Sequence, residues 1–218
     1  MSGAGQITGG GGFTPATSIE DAEKWATKNI TKKVDYQGVD IKVANEINKQ
    51  LYTARQENLI LDVSKINKIG GAEEFNVGGN SFSIVQGRVA GRAERAWQVS
   101  KDTDNFLNAF MVLPKDKALE QLVTHEIGHL VDYKIDVAKM GGYLDKAIEK
   151  KAKSIKRKWT KIYNANKDRL PSDYAEIAGS KEGFAEVYSI YRIEPKLLDN
   201  VFVSHMDEAV EFASSFGN

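Results

Sequence analysis

Hydrophobic residues recur at helical spacing over the first sixty residues, after an opening segment that has no such pattern. One face of a short predicted helix carries Ile19, Ala22, Ala26 and Ile30. Ser18 precedes this helix and can cap its first turn together with Asp21, much as in a capping box. A second helix is predicted from about Asp40. Residues 1–16, rich in Gly, Ser and Thr, are predicted to be a disordered tail.

The middle of the chain has short apolar runs and alternating segments separated by glycines, a pattern typical of strands and turns. Four strands are predicted, over 59–63, 81–86, 96–100 and 108–113. Helical spacing returns at Asp116. Four further helices are predicted, over about 116–134, 143–165, 180–192 and 205–216, with a loop around Pro171 and Ser180 as a cap. The succession predicts an α+β fold with a small mixed sheet, in a single domain over 17–218.

The most informative segment is His125-Glu126-Ile127-Gly128-His129, which lies within a predicted helix. Histidines four residues apart project from the same side of a helix, so both imidazoles can reach one zinc ion. Glu126 lies about 100° further round the helix, where it can act on a water held at the remaining coordination position. This is the HExxH arrangement of zinc peptidases, in which the glutamate is the general base.

A catalytic zinc needs a third protein ligand and one open position. Glu182 and Glu186 share one face of the predicted helix over 180–192, so one can bind the metal and the other can hold a ligand histidine. Their spacing does not decide which does which. His205 is a weaker candidate for the third ligand, and a surface or capping role near the last helix is expected for it instead.

The segments HEIGHLVD and DYAEIAGSKEGFAEVY resemble the catalytic domain of anthrax toxin lethal factor and its relatives, including the secreted Pro-Pro endopeptidases of clostridia. The resemblance covers about residues 115–192. It implies a zincin-like, gluzincin-type metallopeptidase in which His125, His129 and Glu182 bind one Zn²⁺. It also implies Glu126 as the base, Tyr174 as the donor to the oxyanion and Glu186 as the partner of a ligand histidine.

Two features depart from the family pattern. Tyr174 lies eight residues before Glu182, which implies a slight insertion, and Gly183 occupies a position that is bulkier in lethal factor. Tyr174 can alternatively be an aromatic anchor of a loop. Asp132, one turn beyond His129, can orient a ligand histidine or be a simple surface acid.

Zincins usually have an antiparallel edge strand beside the metal, to which an extended substrate adds. The resemblance and the position directly before the active helix both indicate the strand over 108–113 for this role. Its substrate-binding residues are predicted to be Asn108, Ala109, Phe110, Met111 and Val112.

Charge and composition restrict the partners. The chain has 30 basic and 30 acidic residues and no cysteine, so neither a strong overall attraction to nucleic acid nor a thiolate site is expected. The basic stretch over 145–169 is interpreted either as an exosite for an acidic partner or nucleic acid, or as the solvated face of an amphipathic helix. No apolar run is long enough to span a membrane. The oligomeric state is left open.

These features together predict a zinc-dependent endopeptidase acting on a protein or peptide substrate, as a toxin or effector or as a phage-associated protease. The alternative is a non-catalytic zinc-binding structural or interaction domain of a phage or prophage particle, because the N-terminal third faintly resembles segments near metallopeptidase-like regions of phage minor head proteins. The first twelve residues lack the features of a secretory signal. A cytoplasmic, virion-associated or non-Sec-exported protein is therefore expected.

Overall fold

The structure is a computed structural model, and its helices dominate the part of the chain that it describes. The described residues are 13–30, 34, 36, 40–60, 75–77, 80–82, 112–140 and 145–217. The helices are α1 (Ile19–Asn29), α2 (Ile41–Gln56), α3 (Ala118–Lys139), α4 (Lys146–Ala165), α5 (Asp173–Ile177), α6 (Ser180–Ile193) and α7 (Asn200–Ser215). Short 3-10 turns cover Lys115–Lys117, Lys167–Arg169 and Pro195–Leu197.

The predicted α+β fold with a small mixed sheet is wrong, because the described residues form a helical domain. Their strands are β1 (Phe75–Val77) and β2 (Asn80–Phe82), which pair antiparallel as one short hairpin. Leu59 and Ile60, predicted to begin a strand, are buried without forming one. The predicted strand over 96–100 and residues 108–111 of the predicted edge strand lie outside the described residues.

The starts of three helices follow from their capping residues. The Ser18 hydroxyl accepts a hydrogen bond from the Asp21 backbone N–H, as predicted for α1. Asp40 and Asp145 cap α2 and α4 in the same way, through a side-chain oxygen that accepts from a first-turn N–H. Each of these bonds satisfies a backbone donor that has no partner within its own helix.

α3 is the central helix of the fold, packed along α6 and also against α2, α4 and α7. The side of α3 predicted to face the core does so, since Val123, Ile127 and Leu130 are buried. The predicted apolar face of α4 is also confirmed by the burial of Ala152, Ile155, Trp159 and Ile162. The opposite side of the α3 midpoint carries the polar residues of the HExxH segment.

Asn58 joins three distant parts of the chain. Its backbone has a φ of 55°, in the left-handed region that asparagine tolerates better than most residues. Its side-chain amide donates to the carbonyls of Ser214 and Phe216, both at 2.9 Å. The buried Lys134 ammonium of α3 donates to the Asn58 carbonyl at 2.7 Å and to its side-chain oxygen at 3.2 Å. Burial lowers the pKa of Lys134 to about 8.

Several element boundaries differ from those predicted. α3 continues to Lys139 rather than ending near Lys134, and α7 begins at Asn200 rather than near residue 205. The predicted loop around Pro171 contains the short helix α5, and α6 is capped by Gly179 with Ser180 as its first residue.

Residues 13–16, which were predicted to belong to a disordered tail, contact the first two helices. Ala16 exchanges two hydrogen bonds with the Asn45 side chain of α2, and the Phe13 ring packs edge-on against Trp25 at 4.8 Å. None of the helices in the described ranges has the length and apolar character that a bilayer span requires.

Candidate metal centre

Two helices that cross closely supply the chemistry-bearing side chains. His125 and His129 project from α3, and Glu182 and Glu186 project from α6. The helices touch at Gly128, where a Cβ atom would lie 2.8 Å from the Ala185 Cα atom. Real Cβ atoms do not approach that closely, so glycine at this position permits the short distance between the two helices.

Three donor atoms converge on the polar side of this crossing. The Glu182 Oε2 atom lies 3.1 Å from the His125 Nε2 atom and 3.2 Å from the His129 Nε2 atom. One ligand atom from each of the three residues falls within 4.8 Å of the others. The cluster of His125, His129 and Glu182 could therefore hold a metal ion.

The other nitrogen of His125 is held by the second glutamate of α6. The His125 Nδ1 atom lies 3.0 Å from the Glu186 Oε2 atom. Glu186 is itself buried and accepts a hydrogen bond at 3.1 Å from the Gln121 side chain, which in turn accepts one from the Leu113 backbone N–H. A carboxylate on Nδ1 favours a proton on that nitrogen, which leaves Nε2 as the ring nitrogen able to bind a metal ion.

Gln121 is a residue of this arrangement that sequence reasoning missed. It lies four residues before His125 and so on the same side of α3. That spacing is the signal that could have identified it. It is buried. Its side-chain oxygen accepts a hydrogen bond from the Leu113 N–H, and its side-chain nitrogen donates one to Glu186.

The electrostatics of the cluster favour a positive charge on His125 of α3 and a negative charge on Glu182 of α6. Burial lowers the pKa of His125, but hydrogen bonds to Glu182 and Glu186 outweigh it and raise that pKa to about 10. The hydrogen bonds from His125 and His129 hold the pKa of Glu182 well below its usual range. At neutral pH Glu182 is therefore an ionised carboxylate and His125 a protonated donor to it, so a metal ion binding here would displace the His125 Nε2 proton.

Glu126 and Tyr174 flank the cluster. Glu126 follows His125 on α3, is partly buried, and contributes an attraction that raises the pKa of His125. Tyr174 lies on α5 with its ring centre 6.4 Å from that of His125. The structure thus brings Tyr174 to the same side of the crossing as the histidines.

Tyr163 of α4 fixes the position of α5. Its hydroxyl donates to the Ala175 and Glu176 carbonyls, at 3.2 Å and 2.9 Å. Its ring covers Gly183, where a Cβ atom would lie 2.7 Å from the Cε2 atom of the ring. The absence of a side chain at residue 183 therefore makes room for the tyrosine that holds the helix of Tyr174. No spacing or motif in the sequence indicates this role for Tyr163.

Asp132 is not a surface acid. It is buried, and its Oδ1 atom accepts a hydrogen bond at 2.6 Å from the Lys156 ammonium of α4. Burial raises the pKa of Asp132, and the nearby Lys156 opposes that rise. The ion pair joins α3 to α4 one turn beyond His129.

His205 does not belong to the cluster, and the surface or capping role expected for it is wrong. The ring is fully buried in α7, stacked on Trp159 at 5.4 Å and edge-on to Phe184 at 6.4 Å. Neither ring nitrogen has a hydrogen-bond partner within the described ranges of the chain. Burial lowers the pKa of His205 to about 4, so the ring is neutral at physiological pH.

The predicted substrate-binding strand is only partly within the described residues. Asn108, Ala109, Phe110 and Met111 lie outside them. Val112 is described, belongs to no strand, and packs partly buried against the core. The next residue, Leu113, supplies the N–H that anchors Gln121.

The donor set suits zinc among the common cations. Two imidazole nitrogens and one carboxylate oxygen are borderline ligands, and three protein ligands leave a position for water or substrate. Harder cations such as Mg²⁺ and Ca²⁺ prefer sites made only of oxygen. Comparison of the chain with protein-family models, curated proteins and solved structures gave no match.

Proposed function

We propose that this protein is a zinc-dependent peptidase that hydrolyses peptide bonds. The observation that carries the proposal is the convergence of the His125, His129 and Glu182 donor atoms within 4.8 Å of one another. A glutamate adjacent in sequence to the first histidine supports catalysis over a purely structural site, because a structural metal needs no base beside it. The resemblance of residues 115–192 to the lethal factor family supports the same assignment.

Zinc bound by these three residues would supply Lewis-acid chemistry, polarising a substrate carbonyl and lowering the pKa of a water molecule. Glu186 keeps the His125 ring in one orientation and one tautomer by accepting a hydrogen bond from its Nδ1–H group. Gln121 holds Glu186 in place by donating a hydrogen bond from its side-chain amide to the Glu186 Oε1 atom. The ligand geometry is thereby set by buried hydrogen bonds rather than by the side chains of the cluster alone.

Glu126 is the proton carrier in this proposal. Its carboxylate takes a proton from the attacking water and delivers it to the departing amine nitrogen of the peptide bond. Tyr174, whose ring centre lies 6.4 Å from that of His125, would donate a hydrogen bond from its hydroxyl to the oxygen that becomes negative in the tetrahedral intermediate. Tyr163 supports that donor through the two carbonyls of α5.

Metal analysis and peptide cleavage together test the proposal. The purified chain is expected to contain about one zinc ion, and Glu182→Ala is expected to lose it, because two remaining histidines are too few for a stable site. Glu126→Gln should keep the zinc and lose cleavage of a diverse peptide library by about a hundredfold or more. Glu211→Gln, an exposed glutamate of α7, is the matched control and should keep both.

The outcomes separate the peptidase from a zinc-binding domain without activity. Zinc bound by the wild type with no cleavage by any preparation would support the structural alternative. Cleavage that survives Glu126→Gln unchanged would refute the assigned mechanism.

A further inference from the structure

The polar face of α4 carries two rows of basic residues. One row pairs with a carboxylate of α7, and the other lines a groove. In the first, Lys151 and Lys158 both donate to Glu208 of α7, the latter at 2.8 Å. These two ion pairs hold the pKa of Glu208 down to about 2. The first row is therefore neutralised in part by the fold and attaches α4 to α7.

The second row lines an open groove of about 800 Å³ between α4 and the end of α3. We call it the cationic groove. Its lining residues are Lys139, Lys146, Glu149, Lys150, Lys153, Lys156, Arg157 and Thr160. Six of the eight carry a positive charge, in a chain whose total net charge is zero. This concentration of charge is a local property that the composition conceals.

Only half of these cations are neutralised. Lys153 pairs with Glu149. Lys139 pairs with Asp136 at 3.1 Å, and Lys156 with both Asp132 and Asp136. In the described part of the chain, no ion pair is formed by the remaining three, which are Lys146, Lys150 and Arg157. Six cations thus face three carboxylates, and the excess belongs to side chains that are exposed.

The three unpaired cations follow one line along the helix. Their separations of four and seven residues place them on one face of α4. From Lys146 to Arg157 the helix rises about 16 Å, a length that about five residues of extended polypeptide cover. A linear ligand with negative charges along its length matches both the spacing and the sign.

We propose that the cationic groove binds an acidic, extended polypeptide segment. None of the described residues that line the groove is aromatic, whereas sites for single-stranded nucleic acid combine positive charge with aromatic platforms on which bases stack. The balanced total charge also gives no long-range attraction for a polyanion. A short acidic peptide is favoured because it needs only the local excess of charge.

The groove is connected to the metal centre through α3. Lys156 lines the groove and also holds Asp132, which follows His129 by three residues. Resting on the proposed function, the acidic segment is part of the substrate, bound at a distance from the bond that is cut. Such a contact adds binding energy without changing the chemistry at the metal.

Fluorescence anisotropy with a labelled hexaglutamate peptide tests the proposal without any cleavage, using the full chain carrying Glu126→Gln. We expect binding at about 0.05 M salt that is lost at about 0.5 M. The triple change Lys146→Glu, Lys150→Glu and Arg157→Glu should weaken binding about tenfold or more, since three exposed ion pairs together contribute roughly that factor. Loss of binding to the peptide in this variant supports the groove.

A matched triple change tests whether only total charge matters. Lys28→Glu, Lys161→Glu and Lys196→Glu alter three exposed lysines that do not line the groove and shift the net charge equally. This variant should bind within about twofold of its parent. An equal loss in both variants, or no binding by the parent, overturns the proposal. Tighter binding of a single-stranded DNA oligonucleotide that the groove variant abolishes also overturns it, in favour of nucleic acid.

Kinetics distinguish failure of the groove from failure of the peptidase. In the chain with Glu126 intact, the groove variant should raise KM for a cleavable peptide with an acidic tail and leave kcat unchanged. If cleavage depends on Glu126 but neither anisotropy nor KM responds to the groove variant, only the groove proposal fails. If the peptide binds but nothing is cleaved, the peptidase proposal fails and the groove remains as a binding site.

Discussion

A single methyl group added at Gly128 tests how closely α3 and α6 must approach for the metal centre to form. The Cβ atom of Gly128→Ala would lie 2.8 Å from the Ala185 Cα atom and 3.1 Å from both the Ala185 carbonyl oxygen and the Tyr188 ring. Carbon atoms in good contact are about 3.5–4.0 Å apart. Because the nearest obstacle is backbone, the two helices must separate by up to about 1 Å near residue 128.

The substitution has two opposing effects on stability, whereas its effect on metal binding is expected to be a loss. Overpacking of this kind lowers the free energy of unfolding by about 1–3 kcal/mol. The higher helix propensity of alanine raises it by about 1 kcal/mol. The free energy of unfolding should therefore fall by roughly 0–2 kcal/mol. A binding site tolerates displacements of only about 0.5 Å, so metal affinity should fall by about tenfold or more.

Two assays separate these effects. Competition between the protein and a fluorescent zinc chelator gives the affinity, and urea unfolding in the presence of EDTA gives the stability of the fold alone. Gly217→Ala is the control, because a Cβ atom at that position meets nothing within 4 Å. A folded Gly128→Ala protein that binds zinc within about twofold of the wild type would refute the requirement for close approach.

Three further predictions concern the surroundings of the site. Glu186→Gln should lower zinc affinity by about 10–100-fold while leaving zinc bound at millimolar concentration, as a chelator titration would show. His205 has a folded-state pKa of about 4, below its unfolded value, so stability should decrease as pH falls from about 6.5 to 4, by about 3 kcal/mol in total. Urea unfolding in EDTA should show a smaller decrease for His205→Phe, and an unchanged slope would contradict the buried, neutral ring. Asn58→Ala should destabilise the chain by about 1 kcal/mol more than Asn58→Gly does, because only glycine adopts the left-handed backbone without strain. Equal unfolding free energies of these two variants would argue against that backbone conformation.

Helix faces were predictable because periodicity reports burial directly, but several helix ends were not. α3 was predicted to stop near Lys134, a residue type that is usually exposed. The structure buries that ammonium on the Asn58 carbonyl and continues the helix to Lys139. Likewise, Leu59 and Ile60 have the composition of a strand, yet they follow the left-handed turn at Asn58 and contribute to the helical core. The first error comes from a contact between residues far apart in sequence, and the second from the turn that ends α2.

In the metal centre, too, features set within one helix were predictable, and features set by the packing of two helices were not. Spacing within α3 and within α6 predicted which side chains share a face, but not which glutamate meets which imidazole nitrogen. That pairing depends on the crossing of the two helices, which Gly128 sets through its approach to Ala185. Gln121 went unnoticed because a glutamine has no distinctive chemistry until a partner such as Glu186 is placed beside it.

Glu182 and Glu186 contact opposite nitrogens of the same imidazole. The number of residues between them is therefore constrained by the site. Inserting one residue there would turn one carboxylate about 100° around the helix while the other stayed in place. The interval between His125 and His129 is constrained in the same way. By contrast, the stretch from His129 to Glu182 has to return the chain to the crossing but need not have a fixed length. Other chains with this arrangement should share the two short intervals and differ more in the length of the long one.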